Sequence, residues 1–161
     1  MTDPQKQRLY VLETIYWAKW NSHAEGMCAA MPQQEWQEYC EWILVDGLEN
    51  PYYAQRRRSR TRPLTFVELA STATAVAFAH QGNDTLGAKP DFRTKYIAMH
   101  EVAHLLTREL RQNPHSWKFV SVYSQMIGRH VSEAAAPQFR GLAHAQKIQF
   151  TRCPDDVRFV A

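Results

Sequence analysis

Apolar positions recur at helical spacing near the start of the chain. Leu9, Leu12, Tyr16 and Trp20 fall three or four apart, Tyr10, Val11 and Trp17 widen the stripe, and a helix is predicted over Gln5–Trp20. A second stripe, Trp36, Tyr39, Cys40 and Ile43, follows Pro32 and predicts a helix from Gln33 to Val45, ended by Asp46-Gly47. The pattern then changes. Thr65–Leu69 and Ala75–His80 are rich in β-branched and aromatic residues, the turn-forming run Gln81-Gly82-Asn83-Asp84 follows, and Thr85–Ala88 reads as a third short strand, although Leu64–Ala79 also fits a helix. After Pro90, with Asp91 as the expected N-cap, Met99, Val102, Ala103, Leu106 and Leu110 form a clear apolar face. Asn113-Pro114 stops that helix and starts another at Pro114, with Phe119, Val120, Tyr123, Met126 and Ile127 on one side. Ser132 is the expected cap of a last helix running to about Lys147. Helices flanking a short strand-rich stretch predict an α+β fold with a small mixed sheet.

The helix after Asp91 carries His100-Glu101-Val102-Ala103-His104, an HExxH sequence. Positions four apart on a helix are offset by about 40° and one turn, so both imidazoles point the same way and can hold one metal ion. Glu101 lies about 100° further round, within reach of a metal-bound water, while Met99, Val102, Ala103 and Leu106 anchor the other side. A chance match of this kind is expected roughly 0.02 times in a chain of this composition, so an ordinary amphipathic helix with two surface histidines is the weaker reading.

A catalytic zinc takes three protein ligands and keeps one open position. His115, ten residues after His104, is one candidate for the third ligand, because the Asn113-Pro114 turn puts it in the first turn of a helix that must fold back beside the HExxH helix. Glu133 is the alternative, on a later helix, where it also suits the helix dipole after Ser132. Loop economy favours His115. The short Gly-containing spacer of the metzincins is missing after His104.

HEVAHLL followed by Pro114-His115-Ser116-Trp117-Lys118-Phe119 resembles the SprT-like zincins, whose pattern is HExxH, a spacer, then His-Gly-x-x-aromatic. It is also similar to small bacterial and phage metallohydrolase-like proteins with an Arg-x-Tyr-x-x-Glu helix near the N-terminus, here Arg8, Tyr10 and Glu13. The resemblance covers Tyr96 to Ile127 and implies a zincin-like fold, Zn2+ held by His100, His104 and His115, and Glu101 as the catalytic base. Ser116 departs from the family Gly, and a C-terminal zinc ribbon has no counterpart beside the lone Cys153. The chemistry implied is hydrolysis of a protein or peptide, with Glu101 moving the proton of a metal-activated water. Tyr123, His130 and Tyr96 are candidate oxyanion donors, and a substrate strand is expected along Thr85–Ala88.

Composition adds limits rather than a class. At 161 residues the chain is sized for a single domain, 1–161, large enough to bury a core without disulfides. Cys28, Cys40 and Cys153 form no CxxC pair, and neither an apolar leader nor a span of about 18 apolar residues is visible, so a cytoplasmic location without membrane insertion, in a bacterium or a phage-infected host, is expected. The net charge is a mild +3, but Arg56, Arg57, Arg58, Arg60 and Arg62 concentrate positive charge in one short run. That run suits either a solvated loop or a track for phosphates, which leaves a nucleic-acid-binding module with a structural zinc as the competing reading. Hydrolysis of a non-peptide amide is a third. His23, His80 and His144 have no spaced partner and read as surface or core residues.

Overall fold

The structure, a computed structural model, describes residues 3, 5–20, 26–49, 63–107 and 114–150. Among these residues the chain is α+β, with five α-helices and a three-stranded mixed sheet. The helices are α1 (Lys6–Trp20), α2 (Gln33–Glu49), α3 (Lys95–Thr107), α4 (Trp117–His130) and α5 (Ala135–Ala145). The strands are β1 (Thr65–Glu68), β2 (Ala77–His80) and β3 (Thr85–Ala88), and Pro90–Phe92 forms one 3-10 turn. No described helix is long and apolar enough to cross a membrane.

The HExxH helix α3 is the centre of the molecule. From Ala98 to Thr107 every residue is buried. It packs against α2 on one side and α4 on the other, and β2 lies across it. The predicted face of α4 is the buried one: Phe119, Val120, Tyr123, Met126 and Ile127 are all fully enclosed. On α1 the buried positions are Leu9, Leu12, Glu13, Tyr16 and Trp17. Tyr10 and Val11, expected to widen this stripe, are instead 39% and 43% exposed, because they lie outside the buried face of the helix.

Several helix boundaries differ from expectation, each for a local reason. Asp46-Gly47 does not end α2, which continues to Glu49. Gly47 serves close packing there: a Cβ built on it would lie 2.7 Å from Leu106 Cδ1 of α3. Asp91 does not cap α3 because it lies inside the 3-10 turn. Thr94 caps α3 instead, its Oγ1 accepting the Ile97 N–H at 3.3 Å. Pro114 does not open α4, which begins at Trp117, so His115 sits in the turn before that helix rather than in its first turn. Ser132 is not the cap of α5, whose N-cap is Ala134; its Oγ accepts the Ala135 N–H at 3.2 Å from the preceding turn.

The sheet order is β1-β3-β2, with β1 parallel and β2 antiparallel to β3. β3 is therefore the middle strand, and all four of its residues are buried. Both its edges are paired, so the expected substrate strand at Thr85–Ala88 has no edge to offer. Gly87 is required in it: a Cβ there would come within 2.3 Å of the Phe78 ring and 2.9 Å of the Val67 carbonyl oxygen. The edge nearest the HExxH helix belongs to β2.

Candidate metal centre

His100 and His104 leave α3 one turn apart, and the turn before α4 brings His115 to meet them. One ring nitrogen from each lies within 4.8 Å of the others, and all three residues are buried. His100 Nε2 and His115 Nε2 are 3.3 Å apart. A tetrahedral zinc with Zn–N bonds of about 2.0–2.1 Å holds its ligand nitrogens about 3.3–3.4 Å apart, so this pair is already at ligand spacing. Glu133 lies exposed on the turn before α5 and is not part of the cluster.

Each imidazole is also held from behind. His100 Nδ1 lies 2.8 Å from Glu13 Oε1, and His115 Nδ1 lies 2.6 Å from Asp3 Oδ2. His104 has a backbone hydrogen bond to Pro114. A partner on Nδ1 fixes both ring orientation and tautomer, and directs the unprotonated Nε2 into the cluster. Phe119 stacks on His104 with centroids 4.3 Å apart and backs the group with an apolar wall.

Asp3 and Glu13 were not singled out as site residues from the sequence. Glu13 carried a signal: it falls among Leu9, Leu12 and Tyr16 on the buried stripe, where an acid needs a partner. It has two, since the buried Tyr123 hydroxyl also bonds to it while accepting the Trp17 Nε1–H at 3.2 Å. Asp3 carried none beyond its place before a helix. Its Oδ1 accepts the Gln5 and Lys6 N–H groups at 3.0 and 3.1 Å, while Oδ2 accepts the His115 N–H at 3.2 Å. The buried Gln5 adds a further tie, donating to the His115 carbonyl at 2.9 Å.

The electrostatics follow from burial. Burial, together with repulsion from His100 and His115, holds His104 well below the usual histidine range. Burial and His100 likewise bring His115 down to about 4. Both are neutral at pH 7, the form that binds a metal. Burial also opposes the charged form of His100, but Glu13 outweighs it and raises that pKa. Glu101 is pushed up to about 7 by burial, with Glu13 adding to the rise and His100 opposing it. A carboxyl near 7 can both accept and release a proton at neutral pH.

Of the expected oxyanion donors, Tyr123 is spent on Glu13 and Trp17. His130 is turned to Asp46 Oδ2 at 3.3 Å and to the Trp42 ring, at the far end of α4, a helix of about 20 Å. Tyr96 lies one turn before His100 and stacks on Trp17 with centroids 5.6 Å apart. Tyr10, taken as core from its spacing, is the aromatic beside the cluster, with its ring 5.9 Å from His100 and 5.4 Å from His115. Burial and the carboxylates of Glu101, Glu13 and Asp3 raise its pKa to about 12, so the phenol stays a donor at neutral pH.

Two clefts meet at this point, of about 840 and 490 Å3, and Tyr10, Ala77, His100 and Glu101 line both. The Lys89 N–H bonds to the Val76 carbonyl, and Ala77 faces Ala88 in register. Hydrogen-bonded pairs alternate along an antiparallel ladder, so Phe78 and His80 bond to β3 while the N–H and C=O groups of Ala77 and Ala79 point to the outer edge. Arg56, Arg57, Arg58, Arg60 and Arg62, and also Leu110, Asn113, Cys153 and His23, lie outside the described residues. Cys28 and Cys40 form no disulfide among the described residues. The chain matches no protein-family model, no curated protein and no solved structure.

Proposed function

We propose that this protein is a zinc-dependent hydrolase of zincin-like build, and that its substrates are peptides. The observation that carries the reading is the His100–His104–His115 cluster with Glu101 beside it, each imidazole already oriented by a partner. Three imidazole nitrogens with one position left over make a catalytic rather than a closed structural donor set. A zinc ion bound there supplies Lewis acidity and brings a coordinated water toward a pKa of about 7.

The chain's own residues do the rest. Glu101, with a pKa near 7, takes the proton of the attacking water and passes it to the leaving amine. Tyr10, protonated and flanking His100 and His115, donates to the oxygen on which charge develops. The outward N–H and C=O groups of Ala77 and Ala79 offer main-chain pairing to an extended peptide, which favours peptides over small amides. The open edge is β2, in place of the strand expected from the sequence.

Metal analysis of purified protein should find about one zinc per chain, lost in His115→Ala. Glu101→Gln should keep the zinc and lose at least 100-fold in peptide cleavage, the scale at which general bases contribute. Wild-type protein with no affinity for zinc overturns the reading.

A further inference from the structure

We infer that the larger cleft is the specificity pocket of this site, and that it accepts a bulky apolar or aromatic side chain on the C-terminal side of the scissile bond. The inference rests on the peptidase reading for its polarity, and on the cleft itself for its chemistry.

The chemistry comes from the walls. Trp17 and Tyr96 stack face to face at 5.6 Å and 28°, Ile97 joins them, and Val76 and Phe92 stand at the rim. Val76 and Phe92 are 39% and 36% exposed. Lys6, Thr14, Thr74 and Asp91 add polar groups to the lining, and the aromatic floor suits a flat apolar group. The volume of about 840 Å3 lies within the roughly 300–1,000 Å3 of small-molecule pockets, with room for the largest natural side chain. The cleft is continuous with the reacting groups, since His100 and Glu101 form its inner end.

The polarity comes from β2. Thr74, Ala75 and Val76, just before the strand, line the larger cleft, while His80 and Gln81, at and beyond its end, line the smaller one beside His104 and His115. An extended peptide pairs more stably antiparallel than parallel. Antiparallel to β2, its N-terminal half lies toward His80 and its C-terminal half toward Val76. With the bond to be cut opposite His100 and Glu101, the residue just after it faces the Trp17–Tyr96 floor.

The test is cleavage-site profiling by mass spectrometry, with zinc-loaded protein and a mixed peptide library. Enrichment of at least tenfold for Phe, Trp, Tyr or Leu over Ala or Asp directly after the cut is expected. No enrichment there, or enrichment only before the cut, overturns the inference. Thr14 is exposed on α1 and lines the cleft, so Thr14→Trp fills it without touching the core. That variant should reduce the Phe-over-Ala preference from above tenfold to below threefold. If no peptide is cut, the peptidase reading fails and the cleft is judged alone by methyl NMR of metal-free protein. Saturable shifts at Ile97 and Val76 with N-acetyl-phenylalanine amide, and none with N-acetyl-alanine amide, then support the pocket. Equal responses, or none, overturn it.

Discussion

Replacing Glu13 by Gln tests the claim that α1 builds the metal centre from behind. Glu13 Oε1 lies 2.8 Å from His100 Nδ1, and its carboxyl is buried against the Tyr123 hydroxyl. Glutamine keeps the size and one acceptor oxygen, which is left to serve the two donors, and the charge that favours the Nδ1–H tautomer is gone. Loss of such a partner behind a metal-bound histidine typically costs 10- to 100-fold in affinity, which is about 1.4–2.7 kcal/mol. Zinc affinity measured by competition with a chromophoric chelator at pH 7 should therefore fall at least tenfold in Glu13→Gln, with the far-ultraviolet circular dichroism unchanged. Glu13→Leu is the blunter change, because it also leaves the buried Tyr123 hydroxyl without its acceptor, at about 1–3 kcal/mol of stability. The comparison separates orientation from folding. An unchanged zinc affinity in Glu13→Gln refutes the argument, because His100 would then be holding its orientation without a charge behind it.

Asp3→Ala removes both an N-cap of α1 and the partner of His115, so it should weaken zinc binding by 10-fold or more and also lower the metal-free Tm by a few degrees, the scale of a lost cap. Gly47→Ala should destabilise by about 1–3 kcal/mol in a denaturant titration, because the new Cβ meets Leu106, and Leu106→Ala in the same chain should recover part of that loss. Asp46 is the pH probe: its hydrogen bonds with the Arg129 guanidinium, with the charges of Arg129 and His130, hold its carboxyl below the ordinary 3.8, so the link between α2 and α4 stabilises above that value and is lost as pH falls through the lowered one. Melting curves of wild type and Asp46→Asn should accordingly differ slightly at pH 7 and converge as pH falls through the lowered carboxyl pKa, the small size reflecting an exposed arginine partner.

How much of this was legible depended on whether a feature is carried by local periodicity. α1 and α4 follow from spacing, because burial of one face imposes a period that a chain of letters records; the three strands show no such alternation and were legible only from β-branched and aromatic composition and the turn at Gln81-Gly82-Asn83-Asp84. The HExxH pair was legible for the same reason as the helices, since two histidines on one helix face are a local fact. Gly47 was misread because the usual meaning of Asp-Gly is a stop, whereas here the small residue answers a leucine on a helix some sixty positions away in sequence. The strand at Thr85–Ala88 was assigned the substrate edge from its nearness to α3 in sequence; strand order is tertiary information, and it puts that strand in the middle. Tyr10 and Val11 show the limit of a stripe read too widely, since a helix buries only the face its neighbours cover.

The partners of the histidines were hidden for a deeper reason, which also explains how the centre holds together. The three histidines come from α3 and from the turn before α4, while the carboxylate partners of His100 and His115 come from the start and the middle of α1. Residues 3 and 115 are joined by a 2.6 Å contact across more than a hundred positions. Three neutral imidazoles bring no charge to meet a dication in a buried place, and a buried charge without compensation is costly. Asp3 and Glu13 place two carboxyl groups directly behind His100 and His115, so an ion of charge +2 bound as proposed would be balanced by the outer carboxylates, leaving Glu101 for the proton transfer proposed for it. On this view α1 is not packing around a self-sufficient HExxH helix. It is the half of the centre that makes burial of the other half electrostatically tolerable, and its carboxylates stand far along the chain from the motif they complete.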